Sequence, residues 1–156
     1  MKKILVLVVT HALAIAAGFA LGVYYLPILI APASPTTAEV AAKSAAAAFT
    51  AEFRRDLADS DALHWGEGRV TVGRDAITLS GRLAPGPDYK LYLSPEFVQT
   101  EADFMRLKPK MVRVGEVRTF ENFVVPVPAD VDPAAYAAVI VWCERFGQFI
   151  TAARYR

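Results

Sequence analysis

The sequence predicts an all-β sandwich, or a small barrel, preceded by an α-helix and by an N-terminal transmembrane helix. Three observations carry that fold class. Residues 4–30 contain no Asp, Glu, Lys or Arg, as a membrane span requires. Residues 38–59 are dense in alanine and hold neither glycine nor proline, so a helix is expected there. From Trp65 onward, short stretches alternate apolar with polar residues between glycines, asparagines and prolines, as strands do. The expected organisation is an anchor over 1–30, a linker with the alanine-rich helix over 31–62, and a β domain over 63–156.

The apolar run is far longer than the roughly 7–15-residue core of a cleavable signal peptide. Read as a helix over residues 4–26, it spans roughly 35 Å at about 1.5 Å per residue, enough for a ~30 Å hydrocarbon core. Pro27 is the expected exit. Lys2 and Lys3 precede the span and no basic residue follows it before Lys43, which orients the N-terminus to the cytoplasm. The chain is thus expected to cross an inner membrane once. The lipid bilayer is then the partner of residues 4–26, and the C-terminal domain is periplasmic or extracellular. Tyr24 and Tyr25 fall where an interfacial aromatic belt belongs. A long signal peptide cut after Ala31-Pro32-Ala33 is the competing reading. Ala14, Gly18 and Gly22 recur every four residues, a small-residue face that allows close helix approach and self-association.

With Lys2 and Lys3 set aside, 15 basic residues face 16 acidic ones, and no basic stripe marks a nucleic-acid partner. After a proline-containing linker, Thr36 and Glu39 fit a capping box. They open the helix in which Phe49, Phe53 and Leu57 form one apolar stripe. Val70 and Val72, a turn at Gly73-Arg74-Asp75, then Ile77, Leu79 and Leu83 read as a hairpin with one buried face. Pro85-Gly86-Pro87-Asp88 turns the chain into a third strand over 89–93. A short helix over 102–107 takes Thr100 as its cap. Brief strands are expected over 111–114, 117–120 and 123–127, and the two most apolar ones over 138–145 and 148–153. Along the first of these two, Val139, Val141 and Cys143 face one way while Ile140 and Trp142 face the other. Both sets are apolar, so this strand is central and covered on both sides.

Three motifs occur in order: His64-x-x-x-Gly68-x-Val70, then Gly86-Pro-Asp-Tyr-Lys-Leu-Tyr-Leu93, then Ala137-Ala-Val-Ile-Val-Trp-Cys-Glu-Arg-Phe146 followed by Ala152-Ala153. Together they resemble the DM-thirteen domain family over about residues 63–156. The resemblance implies a small β-rich extracellular domain with a proposed electron-transfer role. In animal members it accompanies a haem- or sugar-binding DOMON domain. By position the family's cysteine corresponds to Cys143. These residues carry no companion domain, so an electron donor or acceptor is expected to be another molecule.

Cys143, the only cysteine, cannot close an internal disulfide. It is a buried filler, a reactive thiol, a metal ligand or half of an intermolecular bridge. Its alternation with Val139 and Val141 favours the filler. A redox role requires partial exposure and a pKa lowered by neighbouring positive charge, for which Arg145 is at hand. Trp142, Arg145 and His64 are the expected neighbours of this redox candidate. Tyr89, Tyr92, Phe146 and Phe149 fit either a core or the lining of an apolar pocket.

Catalytic templates are missing. His64 is the only histidine after the anchor, and no Gly-x-Ser-x-Gly, Cys-x-x-Cys, Cys-x-x-Cys-His or His-Glu-x-x-His occurs. Hydrolase, dithiol, c-type haem and zincin chemistry therefore lack support. Cys143, His64, Met105 and Met111 fall one histidine short of a blue-copper set. Asp88, Glu96, Glu101 and Asp103 suit turns and surface. No cofactor is required by the sequence, and haem or copper stays open without a motif for either. The expected function is a non-catalytic, membrane-anchored redox or ligand-contact module centred on Cys143, whose partner is an unidentified redox or envelope protein. The alternative is a structural or protein-interaction module of the cell envelope with a core cysteine.

Overall fold

The strand expected to be covered on both faces is the centre of the molecule. In the computed structural model, which describes every residue from Met1 to Arg156, the strand Ala138–Cys143 is buried along its whole length. Val139, Val141 and Cys143 enter one apolar cluster, whereas Ile140 and Trp142 enter another, following the two-residue alternation of a pleated strand.

The domain has eight strands, this one included: β1 (Phe49–Phe53), β2 (Gly66–Val72), β3 (Ala76–Leu83), β4 (Tyr89–Ser94), β5 (Val112–Val117), β6 (Glu121–Pro126), β7 (Ala138–Cys143) and β8 (Gln148–Arg154). They form two four-stranded sheets, ordered β1-β2-β3-β6 and β5-β4-β7-β8, with every pairing antiparallel. Val70, Val72, Ile77 and Leu79 of the first sheet meet Leu91, Leu93, Val139 and Val141 of the second in the larger cluster. This is the expected sandwich. β1 also lies beside β8 and β5 beside β6, so the sheets approach each other at both margins. The smaller cluster lies on the other face of the second sheet, where Phe104 and Leu107 of α3 (Glu101–Leu107) cover Ile140 and Trp142. Thr100 caps α3 as expected, its hydroxyl accepting from the Asp103 N–H.

Two N-terminal helices precede the sheets, α1 (Lys2–Ile30) and α2 (Thr37–Ser44). α1 is long and apolar enough to cross a membrane. It does not end before Pro27. The proline lies inside the helix and is its one buried residue, lining a small cleft with Pro87 and Phe120 of the β domain. That packing offsets the backbone hydrogen bond a proline cannot donate. Gly18 and Gly22 face open space. The capping box of α2 is present, with Thr36 Oγ1 accepting from the Glu39 N–H at 3.2 Å and Glu39 Oε2 accepting from the Thr36 N–H at 2.7 Å.

The helix expected over 38–59 is a correction. It stops at Ser44, and Phe49–Phe53 is an edge strand paired with β2 from Phe49↔Val72 to Phe53↔Gly68. Residues four apart share one face of a strand as well as of a helix, so the phenylalanines fit both patterns. Alanine's helix preference is worth under about 1 kcal/mol per residue, and pairing with β2 outweighs it. The stripe divides accordingly: Phe53 is buried in the larger cluster, while Leu57 packs on the smaller one.

The strands expected over 111–114 and 117–120 are likewise one strand, β5, and residues 118–120 are loop. Leu91 pairs with Gly115 and Tyr92 with Arg113, leaving Val114 as the extra residue of a bulge beside the glycine.

Candidate functional site

Cys143 closes β7 at one end of the sandwich. Tyr89 of β4 stands opposite it on one side and Gln148 of β8 on the other, so three side chains line up across three strands. The thiol is only 3% exposed, and burial pushes its pKa above the ordinary cysteine value. Backbone hydrogen bonds from the 144–146 turn pull the other way without overcoming that burial. Arg145 lies exposed in this turn, outside the strand. The activating cation expected of it is therefore not delivered, because β7 ends two residues before the position at which Arg145 would share the cysteine's face.

Beside Cys143 opens a cleft of about 560 Å³. Tyr89, Cys143 and Ile150 form its inner wall, the Pro85-Gly86-Pro87 turn one side, and Leu63 and Phe146 its rim, while Phe19, Val23 and Tyr24 of α1 close the remaining side. His64 and Gln148 supply the polar groups. The fold thus brings His64 and Cys143, distant in sequence, to one cavity. Trp142 is not there; it points to the opposite face of the sheet.

His64 is held in place by Asp61, whose carboxylate accepts from the Leu63 and His64 backbone N–H groups at 2.6 and 2.8 Å and lies 2.9 Å from His64 Nδ1. The His64 side chain leads the groups that hold Asp61 below its usual pKa. An ionised carboxylate can only accept, so Nδ1 carries the proton and Nε2 is left free. Tyr89 donates its hydroxyl to the Ala84 carbonyl at 2.8 Å, and burial raises its pKa well above the tyrosine range.

A second cluster, invisible to motif reading, lies behind Trp142. Phe104 stacks on the indole with ring centroids 3.9 Å apart, and Tyr92 meets Phe104 edge-on at 5.3 Å. Lys108 Nζ sits 5.6 to 5.9 Å from the three rings. It donates to Glu144 Oε2 at 2.8 Å, and the Tyr92 hydroxyl donates to Glu144 Oε1. Burial pushes the Glu144 carboxyl up, but these donors outweigh it and the net pKa falls below the carboxylate norm of 4.5. The Trp142 N–H makes no hydrogen bond of regular geometry, although it lies near enough to Glu144 to help keep it ionised. The arrangement is structural: a carboxylate ties the end of β7 to α3 and β4. The only trace in the sequence was a charge set immediately after the apolar strand.

Glu144→Gln is expected to lower stability by about 1–2 kcal/mol at neutral pH, since two hydrogen bonds lose their charged acceptor. The folded carboxyl titrates below its unfolded value. Its contribution is therefore complete above about pH 4.5 and fades as pH falls through the folded pKa. Urea midpoints of wild type and variant should converge as pH falls from neutral through the folded pKa; a gap of constant size would remove the ionic basis.

No three His, Cys, Asp or Glu side chains converge closely enough to hold a metal ion. Comparison with known proteins adds a family and nothing finer. A family model described as Electron transfer DM13 matches residues 53–155. No curated protein matches the chain, and no solved structure matches it.

Proposed function

The chain belongs to the DM13 electron-transfer family, and from that membership we propose that it is a membrane-anchored, extracytoplasmic electron-transfer module whose contact with its redox partner molecule is made in the cleft at Cys143. The lysines before α1 support the cytoplasmic placement of its N-terminus. The observation that carries the site is the convergence of Cys143, His64 and Gln148 on one cavity at the end of the sandwich nearest α1. Because burial raises its pKa, Cys143 is a thiol at neutral pH and contributes a soft, polarisable wall, without the activation of a catalytic nucleophile.

A second reading, an envelope interaction module with a purely core cysteine, draws on the same 3% exposure. Thiol labelling of the native full chain separates the two. An apolar maleimide should modify Cys143 faster than a charged maleimide with the same reactive group, because access runs through an apolar cleft. Modification by both reagents only after denaturation would leave the core reading standing alone.

A further inference from the structure

We infer that the Cys143 cleft takes the ring of a lipid-soluble, quinone-type carrier that enters from the membrane. The inference rests on the electron-transfer reading and specifies the kind of carrier.

Access from the bilayer follows from position. Residues 4–22 of α1 span about 28 Å at roughly 1.5 Å per residue, close to a ~30 Å hydrocarbon core. The α1 wall of the cleft, Phe19, Val23 and Tyr24, therefore lies around the outer boundary of that core. After α1, the large apolar side chains left exposed are Leu63 at 56%, Met105 at 57% and Phe146 at 50%. Two of the three, Leu63 and Phe146, form the rim of this one cleft. Scattered apolar residues need no explanation, but two gathered at a cavity beside a membrane helix mark an apolar contact.

The lining selects the ligand. No Lys, Arg, Asp or Glu borders the cleft, so a fatty-acid carboxylate or a phospholipid headgroup would lose hydration without gaining an ionic partner. A neutral molecule with few polar atoms fits. A cleft of about 560 Å³ lies in the ordinary range for small-molecule sites, and a few directed polar groups then set specificity. Those groups are His64 and Gln148. With Nδ1–H committed to Asp61, His64 Nε2 is placed to accept from a hydroxyl. The Gln148 amide both donates and accepts. Such groups suit a ligand whose ring oxygens alternate between carbonyl and hydroxyl.

Binding of decylubiquinone to the full chain in neutral-lipid nanodiscs tests this, with decylbenzene and oleate as comparators. Saturable binding of one quinone per chain is expected, about tenfold tighter than decylbenzene, as loss of a directed hydrogen bond implies. His64→Leu should erase most of that preference in a protein that still unfolds cooperatively, with no more than the small stability loss of a partly exposed His64–Asp61 pair, and the exposed-rim change Phe146→Ala should weaken all apolar ligands alike. Decylbenzene or oleate binding as tightly as the quinone overturns the carrier, as does the absence of saturable binding. Maleimide labelling on the same sample keeps the two readings apart. Labelling without quinone binding sinks only the carrier, whereas neither labelling nor binding sinks the cleft as a contact site as well. Binding without labelling upholds the carrier and removes Cys143 from the contact.

Discussion

Trp142→Ala is expected to cost the β domain about 3–5 kcal/mol, the usual loss when a large buried aromatic is truncated. Against a total of about 5–15 kcal/mol for a domain, this leaves little reserve. The indole is fully buried and stacked on Phe104, and it fills the space between the second sheet and α3. Neither wall can readily close the void. β7 is hydrogen-bonded to β4 and β8 on its two sides, and α3 is held by its cap and by Lys108 beyond it. Thermal unfolding followed by near-UV circular dichroism should show a fall of roughly 12–40 °C, given about 4–8 °C per kcal/mol for a domain of this size. Trp142→Phe keeps a ring over Phe104 and should lose clearly less. Equal losses for the two variants would mean that the stack contributes nothing and that α3 is not held by it. Cys143 faces the other side of β7, so below the transition temperature the cleft should survive either change.

That two-sidedness was the most legible feature of the chain. Alternation along 138–143 alone separates Cys143 from Trp142, because a pleated strand allows no other arrangement. The same periodicity failed at Phe49 and Phe53. A spacing of four satisfies both helix and strand, and what decides between them is the hydrogen-bonding edge of β2, whose partners lie from Gly68 to Val72, well beyond local range in sequence. Gly115 misled in a related way. A glycine between short apolar stretches marks a turn or a bulge equally well, and the pairing with β4 makes it a bulge. Pro27 was misjudged because its compensating contacts come from residues near 87 and 120.

The site was half legible for the same reason. Cys143 and His64 could be named individually from residue type, but their meeting at one cavity depends on how β7, β8 and the loop before β2 end together. Arg145 would share the cysteine's face only if β7 ran on to residue 145, and the strand ends at Cys143. Glu144 and Lys108 could not be paired at all, since α3 and the end of β7 are brought together by packing. Local chemistry was readable where neighbours in sequence are neighbours in space. Elsewhere the sheet order was needed.

Gly81→Ala is expected to cost about 3 kcal/mol, because the added methyl group has nowhere to go. A Cβ at this position would lie 2.1 Å from the Glu67 carbonyl oxygen and 2.8 Å from Gly68 Cα. Both are backbone atoms of β2, so no side-chain rotation relieves the clash. Gly68 stands directly opposite in the ladder and itself holds φ at +119°, a conformation that side chains resist. The paired glycines let β2 and β3 approach closely where β3 slips register against β6. Asn122 completes the junction. Its Oδ1 accepts from the Gly81 N–H at 3.1 Å and its Nδ2 donates to the Pro35 carbonyl at 3.1 Å, tying the linker after α1 to the sheet. Gly115→Ala provides the control, since its Cβ would meet only the Val125 Cγ1 methyl at 2.8 Å, the end of a side chain. Stiffening the unfolded chain returns only about 0.4–1 kcal/mol for a Gly→Ala change, which could nearly balance the strain at residue 115 but not at 81. Denaturant midpoints of the two variants should therefore differ widely, and a Gly81→Ala protein as stable as Gly115→Ala would show that the backbones at 68 and 81 can part without penalty.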